Sequence, residues 1–145
     1  MRHRYLLSLA ILLAAACSSS SHPPTVGRPS VDVHQASALF FGSGQTAPLN
    51  LIVDVSNPAR EPILLRRVRI QAGMGMTQYS VYPTERTVHE TIAPGETKSV
   101  NLTATAFTDR TRLEPNEPLA LRTILDYDVA GKRHQELYVT MNVSR

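Results

Sequence analysis

Leu119-Ala-Leu-Arg-Thr-Ile-Leu-Asp-Tyr-Asp-Val-Ala-Gly-Lys-Arg-His-Gln-Glu-Leu-Tyr-Val-Thr-Met-Asn-Val143 decides the fold class of this 145-residue chain. Leu119, Leu121, Leu125, Tyr127 and Val129 alternate with Arg122, Asp126 and Asp128. Leu137, Val139, Met141 and Val143 alternate with Glu136, Thr140, Asn142 and Ser144. A period of two is that of a half-buried strand. Ala130-Gly131-Lys132-Arg133 lies between the two runs, and a Gly-X pair there reads as a tight hairpin of the type II′ kind. Both apolar sets are expected to face the core, with Leu125 and Val139 near its centre and Arg122 and Thr140 in water.

The same period extends outward. Leu49, Leu51, Val53 and Val55 share one face, and Asn57-Pro58 stops the strand because proline lacks an amide donor and restricts the residue before it. Val100, Leu102, Ala104 and Ala106 form another such face. Strands are also expected over 31–41, ending in the turn Gly42-Ser43-Gly44, and over 63–71, 78–82 and 86–92. Ala93-Pro94-Gly95-Glu96 suits a type II turn, with glycine supplying the positive φ. In the strand 63–71, Ile63 and Leu65 have one parity and Val68 and Ile70 the other. All four reach the core only if one residue is inserted, which predicts a β-bulge near Arg66-Arg67. No stretch after Val31 carries a sustained helical period. Short strands separated by turn signals indicate an all-β antiparallel sandwich of seven to eight strands, the architecture of immunoglobulin-type domains, over residues 31–145.

The N-terminus has a different composition. Met1-Arg-His-Arg4 is basic, Tyr5 to Ala16 is apolar apart from Ser8, and Ala14-Ala-Ala16 precedes Cys17, the only cysteine. A dozen apolar residues fall short of the roughly 20 that span a bilayer, so residues 1–16 read as a cleaved signal peptide. The arrangement resembles the lipobox of bacterial lipoproteins, although Ala14 stands where the strongest form has a larger aliphatic residue. That resemblance implies that Cys17 becomes the mature N-terminus and carries a diacylglyceryl group and an N-acyl chain, palmitate among the usual chains. Two or more such chains anchor a protein stably. Ser18 in place of aspartate after the cysteine points to the outer membrane, facing the periplasm. Residues 17–30, including SSSSHPPTVGRPS, hold too little apolar surface to fold and read as a flexible tether.

Cleavage after residue 16 takes Arg2 and Arg4 from the 15 basic residues, leaving one more than the 12 acids and a net charge of +1 instead of +3. This is no nucleic-acid footprint, which needs a clustered basic face. Partners are instead expected to be the membrane, through the lipid, and an envelope protein or an anionic lipid or glycan.

Asp54-Val-Ser-Asn-Pro58, followed by an aliphatic strand and then by Thr91-Ile-Ala-Pro-Gly-Glu-Thr97 and Val100, resembles the second group of late embryogenesis abundant proteins, also called water-stress-and-hypersensitive-response domains. The likeness covers about residues 45–130. It implies a fibronectin III-like fold, no catalytic residues and a protective role for membranes or proteins under stress.

Catalytic constellations are missing from the sequence. It has no G-x-S-x-G elbow and no G-x-x-x-x-G-K-[ST] loop. His34, His89 and His134 sit on separate strands without ligand spacing, so neither a metal site nor a cofactor is expected. Two features invite an interaction reading. Arg66, Arg67 and Arg69 crowd one strand, and arginine matches phosphate and carboxylate bidentately. The alternative is that these charges guard a sheet edge. Gly73-Met74-Gly75-Met76 offers two thioethers, which suit Cu(I), and it supports the competing reading of a periplasmic ligand or copper carrier. The leading expectation is a non-enzymatic, lipid-anchored envelope protein with one sandwich domain for interaction or protection.

Overall fold

The computed structural model describes residues 27–41, 45–73, 80–108, 119–141 and 143. These form eight strands and no helix: β1 (Ser30–Gln35), β2 (Thr46–Ser56), β3 (Ile63–Ala72), β4 (Ser80–Val81), β5 (Thr84–Ile92), β6 (Thr97–Phe107), β7 (Leu121–Val129) and β8 (Lys132–Thr140). One sheet has the order β1-β2-β6-β4 and the other β5-β3-β7-β8, with every pairing antiparallel. The triplets β1-β2-β6 and β3-β7-β8 follow the immunoglobulin plan, and β4 and β5 extend the two sheets on the same side of the sandwich, where the chain passes from one sheet to the other through Tyr82-Pro83. The signal peptide, Cys17, Gly42-Ser43-Gly44 and Met74-Gly75-Met76 lie outside the described residues.

The core forms where the alternating faces meet. Leu49, Leu51, Val53 and Val55 of β2 and Val100, Leu102, Ala104 and Ala106 of β6 pack against Ile63, Leu65, Val68 and Ile70 of β3 and Leu125, Tyr127 and Val129 of β7. On the outer face of the first sheet, Ser56 meets Thr97 at 2.6 Å and Thr103 Oγ1 donates to Asn50 at 2.9 Å, a polar ladder suited to water. β1 is shorter than the run 31–41. After Gln35 the chain leaves the sheet, with Leu39 and Phe41 packed on the core and Phe40 exposed.

The expected bulge is present. Leu65 pairs with Tyr127 and Arg67 with Asp126, so Arg66 is the inserted residue opposite β7. Ile63, Leu65, Val68 and Ile70 are thereby all buried. On the other flank Leu65 pairs with Glu90 and Arg67 with Thr87, so β5 carries two residues against Arg66. His89, one of the two, takes the left-handed conformation at φ 56°. The Pro94-Gly95 turn also forms as expected, with Gly95 at φ 75° and Glu96 N–H donating to Ala93 O at 3.0 Å.

The last hairpin departs from expectation in two ways. Ala130 (φ 50°) and Gly131 (φ 73°) form the two-residue loop, with Val129 opposite Lys132. Two positive φ values in succession make the turn type I′, not II′. The register then sets Tyr127 opposite His134, Leu125 opposite Glu136 and Thr123 opposite Tyr138. Directly paired residues share a face, so His134, Glu136, Tyr138 and Thr140 point inward. Leu137 (55% exposed), Val139 (57%) and Met141 (57%) point out. The expected core positions Leu137, Val139 and Met141 are therefore surface positions, and Thr140 does not face water.

Three of the inward polar residues of β8, His134, Glu136 and Tyr138, find partners at the open side of the sandwich. His134 stacks on Tyr127 with ring centroids 5.4 Å apart. Tyr138 lies within 2.7 Å of both Pro29 O and Glu136 Oε2, and Arg28 pairs with Glu136 at 3.3 Å. Beyond Thr140 the register gains a residue. Val143 N–H donates to Leu119 O at 3.0 Å, and Val143 returns to the core as expected.

Candidate functional site

The outer face of the second sheet gathers the charged residues noted in the sequence. Once the bulge has re-aimed β3, Arg66, Arg67 and Arg69 all lie on this face beside the carboxylates of β5 and β7. Arg66 Nε donates to Asp128 Oδ2 at 2.8 Å, and its Nη2 also binds that oxygen. Arg67 Nε donates to Asp126 Oδ2 at 2.7 Å, and Gln135 Nε2 donates to Asp126 Oδ1 at 2.7 Å. Arg67 Nη1 and Arg69 Nε both reach Glu85 Oε2, at 3.4 and 3.2 Å. The arginines thus form one ion-pair network across three strands, each guanidinium already facing a carboxylate.

Asp126 belongs to the outward-facing set yet is only 3% exposed, because Arg67 and Gln135 close over it. Burial pushes its carboxyl up, but the hydrogen bond from Gln135 and the pairing with Arg67 outweigh that and hold it below the usual carboxylate range. The Arg66 hydrogen bond does the same for Asp128, against a smaller opposing effect of burial. A carboxylate depressed in the folded state stabilises the fold above its unfolded pKa of about 3.9 and loses that contribution as pH falls through its folded value. Urea midpoints are therefore expected to hold from neutral pH to about pH 5 and fall below about pH 4. Asp126→Asn should flatten that acid limb. An equally steep limb in this variant and in Asp128→Asn would show that other carboxylates govern it.

Beside this network the same face turns apolar. Ile124 is half-buried opposite Leu137, and Arg122 lies opposite Val139, with Met141 beyond. The stripe runs along β8, the outermost strand of its sheet. Its alternation alone suits a core face, and the loop length is the signal that identifies it as surface. Within the described residues, no group of three or more His, Cys, Asp or Glu side chains is placed to hold a metal ion. His34 lies 3.7 Å from Asp54 on β2, His89 is exposed on β5 and His134 stacks on Tyr127, so the structure does not bring the three together.

No family model matches the chain, and no curated protein matches it. Among solved structures it is similar to a protein from Archaeoglobus fulgidus (11% identity, 77% of this chain and 91% of that one, TM-score 0.45). It is also similar to a Northeast Structural Genomics Consortium target (10%, 83% and 88%, TM-score 0.48) and to a FixG-related protein from Vibrio parahaemolyticus (12%, 81% and 96%, TM-score 0.36). At such identities and scores these likenesses carry no functional assignment.

Proposed function

We propose that this chain is a non-enzymatic, lipid-anchored protein of the bacterial cell envelope whose sandwich domain acts by contact. The stretch Met1–Cys17 carries the reading: a basic start, an apolar run too short to span a bilayer, small residues, and the chain's only cysteine directly after them. The anchor is Cys17, acylated and N-terminal in the mature protein, and the membrane is the outer one, on its periplasmic face. About ten residues separate Cys17 from Gly27, and at roughly 3.5 Å each they reach at most about 35 Å. The domain therefore works close to the bilayer. The stress-protective role implied by the resemblance to water-stress domains fits such a position.

Mass spectrometry of protein extracted from membranes should find Cys17 as the first residue, bearing acyl chains. Cys17→Ala should move the protein from the membrane to the soluble fraction. Unmodified wild-type protein in the soluble fraction would overturn the proposal.

A further inference from the structure

We infer that β8 is a self-association edge, on which a second copy of this chain pairs antiparallel and joins the two β5-β3-β7-β8 sheets into one. The first argument is the backbone. A two-residue type I′ loop closes on a hydrogen-bonded pair, here Val129 and Lys132. Hydrogen-bonded and non-hydrogen-bonded pairs then alternate along the ladder. His134, Glu136 and Tyr138 bond back to β7, while Arg133, Gln135, Leu137 and Val139 direct their N–H and C=O groups off the edge of the sheet. Among the described residues these outward backbone groups have no ladder partner, and two of the four residues, Leu137 and Val139, also carry exposed apolar side chains.

The second argument is that the edge lacks the usual protection. Natural edges are blunted by proline, bulges, short length or charged side chains. β8 is nine residues long, contains no proline and pairs with β7 without a register shift. Its exposed charges, Lys132 and Arg133, lie at the hairpin end. Its inward charge, Glu136, is already paired with Arg28 and hydrogen-bonded to Tyr138.

The third argument is self-complementarity, which selects a second copy as the occupant. A two-fold axis through Tyr138 sets Leu137 opposite Val139 of the other copy, and Val139 opposite Leu137, so both contacts form at once. Gln135 then faces Met141, and Glu136 faces the hydroxyl of Thr140. No like charges meet. Moving the axis to Glu136 would oppose two carboxylates. The contact is isologous and closes as a dimer.

Sedimentation of the purified full chain over a wide concentration range tests the pairing. A dimer is expected, and Leu137→Lys combined with Val139→Lys should reduce it to a monomer that melts where the dilute, dissociated wild-type chain melts, because both side chains are exposed in the single chain. The register is tested by mild oxidation and non-reducing electrophoresis. Residues directly opposite in a hydrogen-bonded pair lie about 5.5 Å apart at Cα, within disulfide reach. Leu137→Cys with Val139→Cys should therefore cross-link between copies. Leu137→Cys alone, which places its thiols on a diagonal about 7–8 Å apart, should not. A wild-type chain that stays monomeric, a dimer indifferent to the double lysine variant, or equal cross-linking of the single and double cysteine variants overturns the proposal.

Discussion

Asn57→Asp should lower stability by about 4 kcal/mol, through an exchange of one NH₂ group for one oxygen. Asn57 is 1% exposed at the corner where β2 leaves its sheet. Its Nδ2 donates to Glu61 O at 2.8 Å and Ile92 O at 2.9 Å, and its Oδ1 accepts from Ala59 N–H at 2.9 Å. Its backbone accepts from Gly95 N–H at 2.8 Å and donates to Glu96 O at 2.9 Å. One residue thus fastens the β2–β3 corner to the end of β5 and the β5–β6 turn. The introduced carboxyl is nearly the same shape but aims an oxygen at two carbonyl oxygens. Ionised, it repels both. Protonated, it satisfies one. Each buried group left unpaired costs about 1–3 kcal/mol. Burial beside carbonyls raises the folded pKa of the new carboxyl above its unfolded value. The deficit should therefore be smallest in acid, below the unfolded pKa, and should grow as pH rises through the folded one. Asn57→Ala should cost about 3 kcal/mol with no such pH dependence. Urea melts of both variants across pH would show this, and a midpoint for Asn57→Asp equal to wild type would contradict it.

Leu125→Ala should cost about 2–5 kcal/mol. Leu125 is 0% exposed in the middle of β7, among residues of both sheets that cannot all close over the lost methyl groups. Val139→Ala, one strand away and 57% exposed, should stay within about 0.5 kcal/mol when melted at concentrations too low for pairing through β8. Hydrophobicity alone ranks the two positions together, and only the register separates them. Equal losses at both would mean that β8 is slipped by one residue, which would exchange its two faces.

The origin of that separation lies in loop length. Strands joined by an even number of loop residues pair odd positions with even ones. Leu125 and Val139 are both odd, so a two-residue loop cannot bring both inward, whatever the turn type. The alternation in β2, β6 and β7 was legible because one face of each is apolar, Thr123 of β7 being the exception. The bulge in β3 was legible because four aliphatic residues change parity within one strand. β8 departs from expectation because its alternation says only that two faces differ. Which face is buried depends on the loop and on Tyr127, Pro29 and Arg28, the partners of its polar residues, and Pro29 and Arg28 lie more than a hundred positions away in the chain.

The candidate site was legible to a similar degree. Three arginines on one strand were visible, but their opposition to Asp126, Asp128 and Glu85 depends on pairings with β5 and β7 that no local pattern encodes. Asn57 was legible as a strand stop, since Asn-Pro has a local backbone meaning. Its reach to Ile92, 35 positions along the chain, belongs to the assembled sandwich.

The segment Gly27–Pro29 is fastened before the first strand begins. A side chain at Gly27 would come within 2.8 Å of Ala59, Pro29 O accepts from Tyr138, and the exposed Arg28 pairs with Glu136. The fixings therefore belong to the β2–β3 corner and to β8, not to β1. Tension applied from the N-terminal side is delivered first to these points, and the ladder between β1 and β2 is loaded only after they yield. The domain meets a pull with a cleat ahead of its outermost seam, so β1 is shielded from being peeled away one pair at a time.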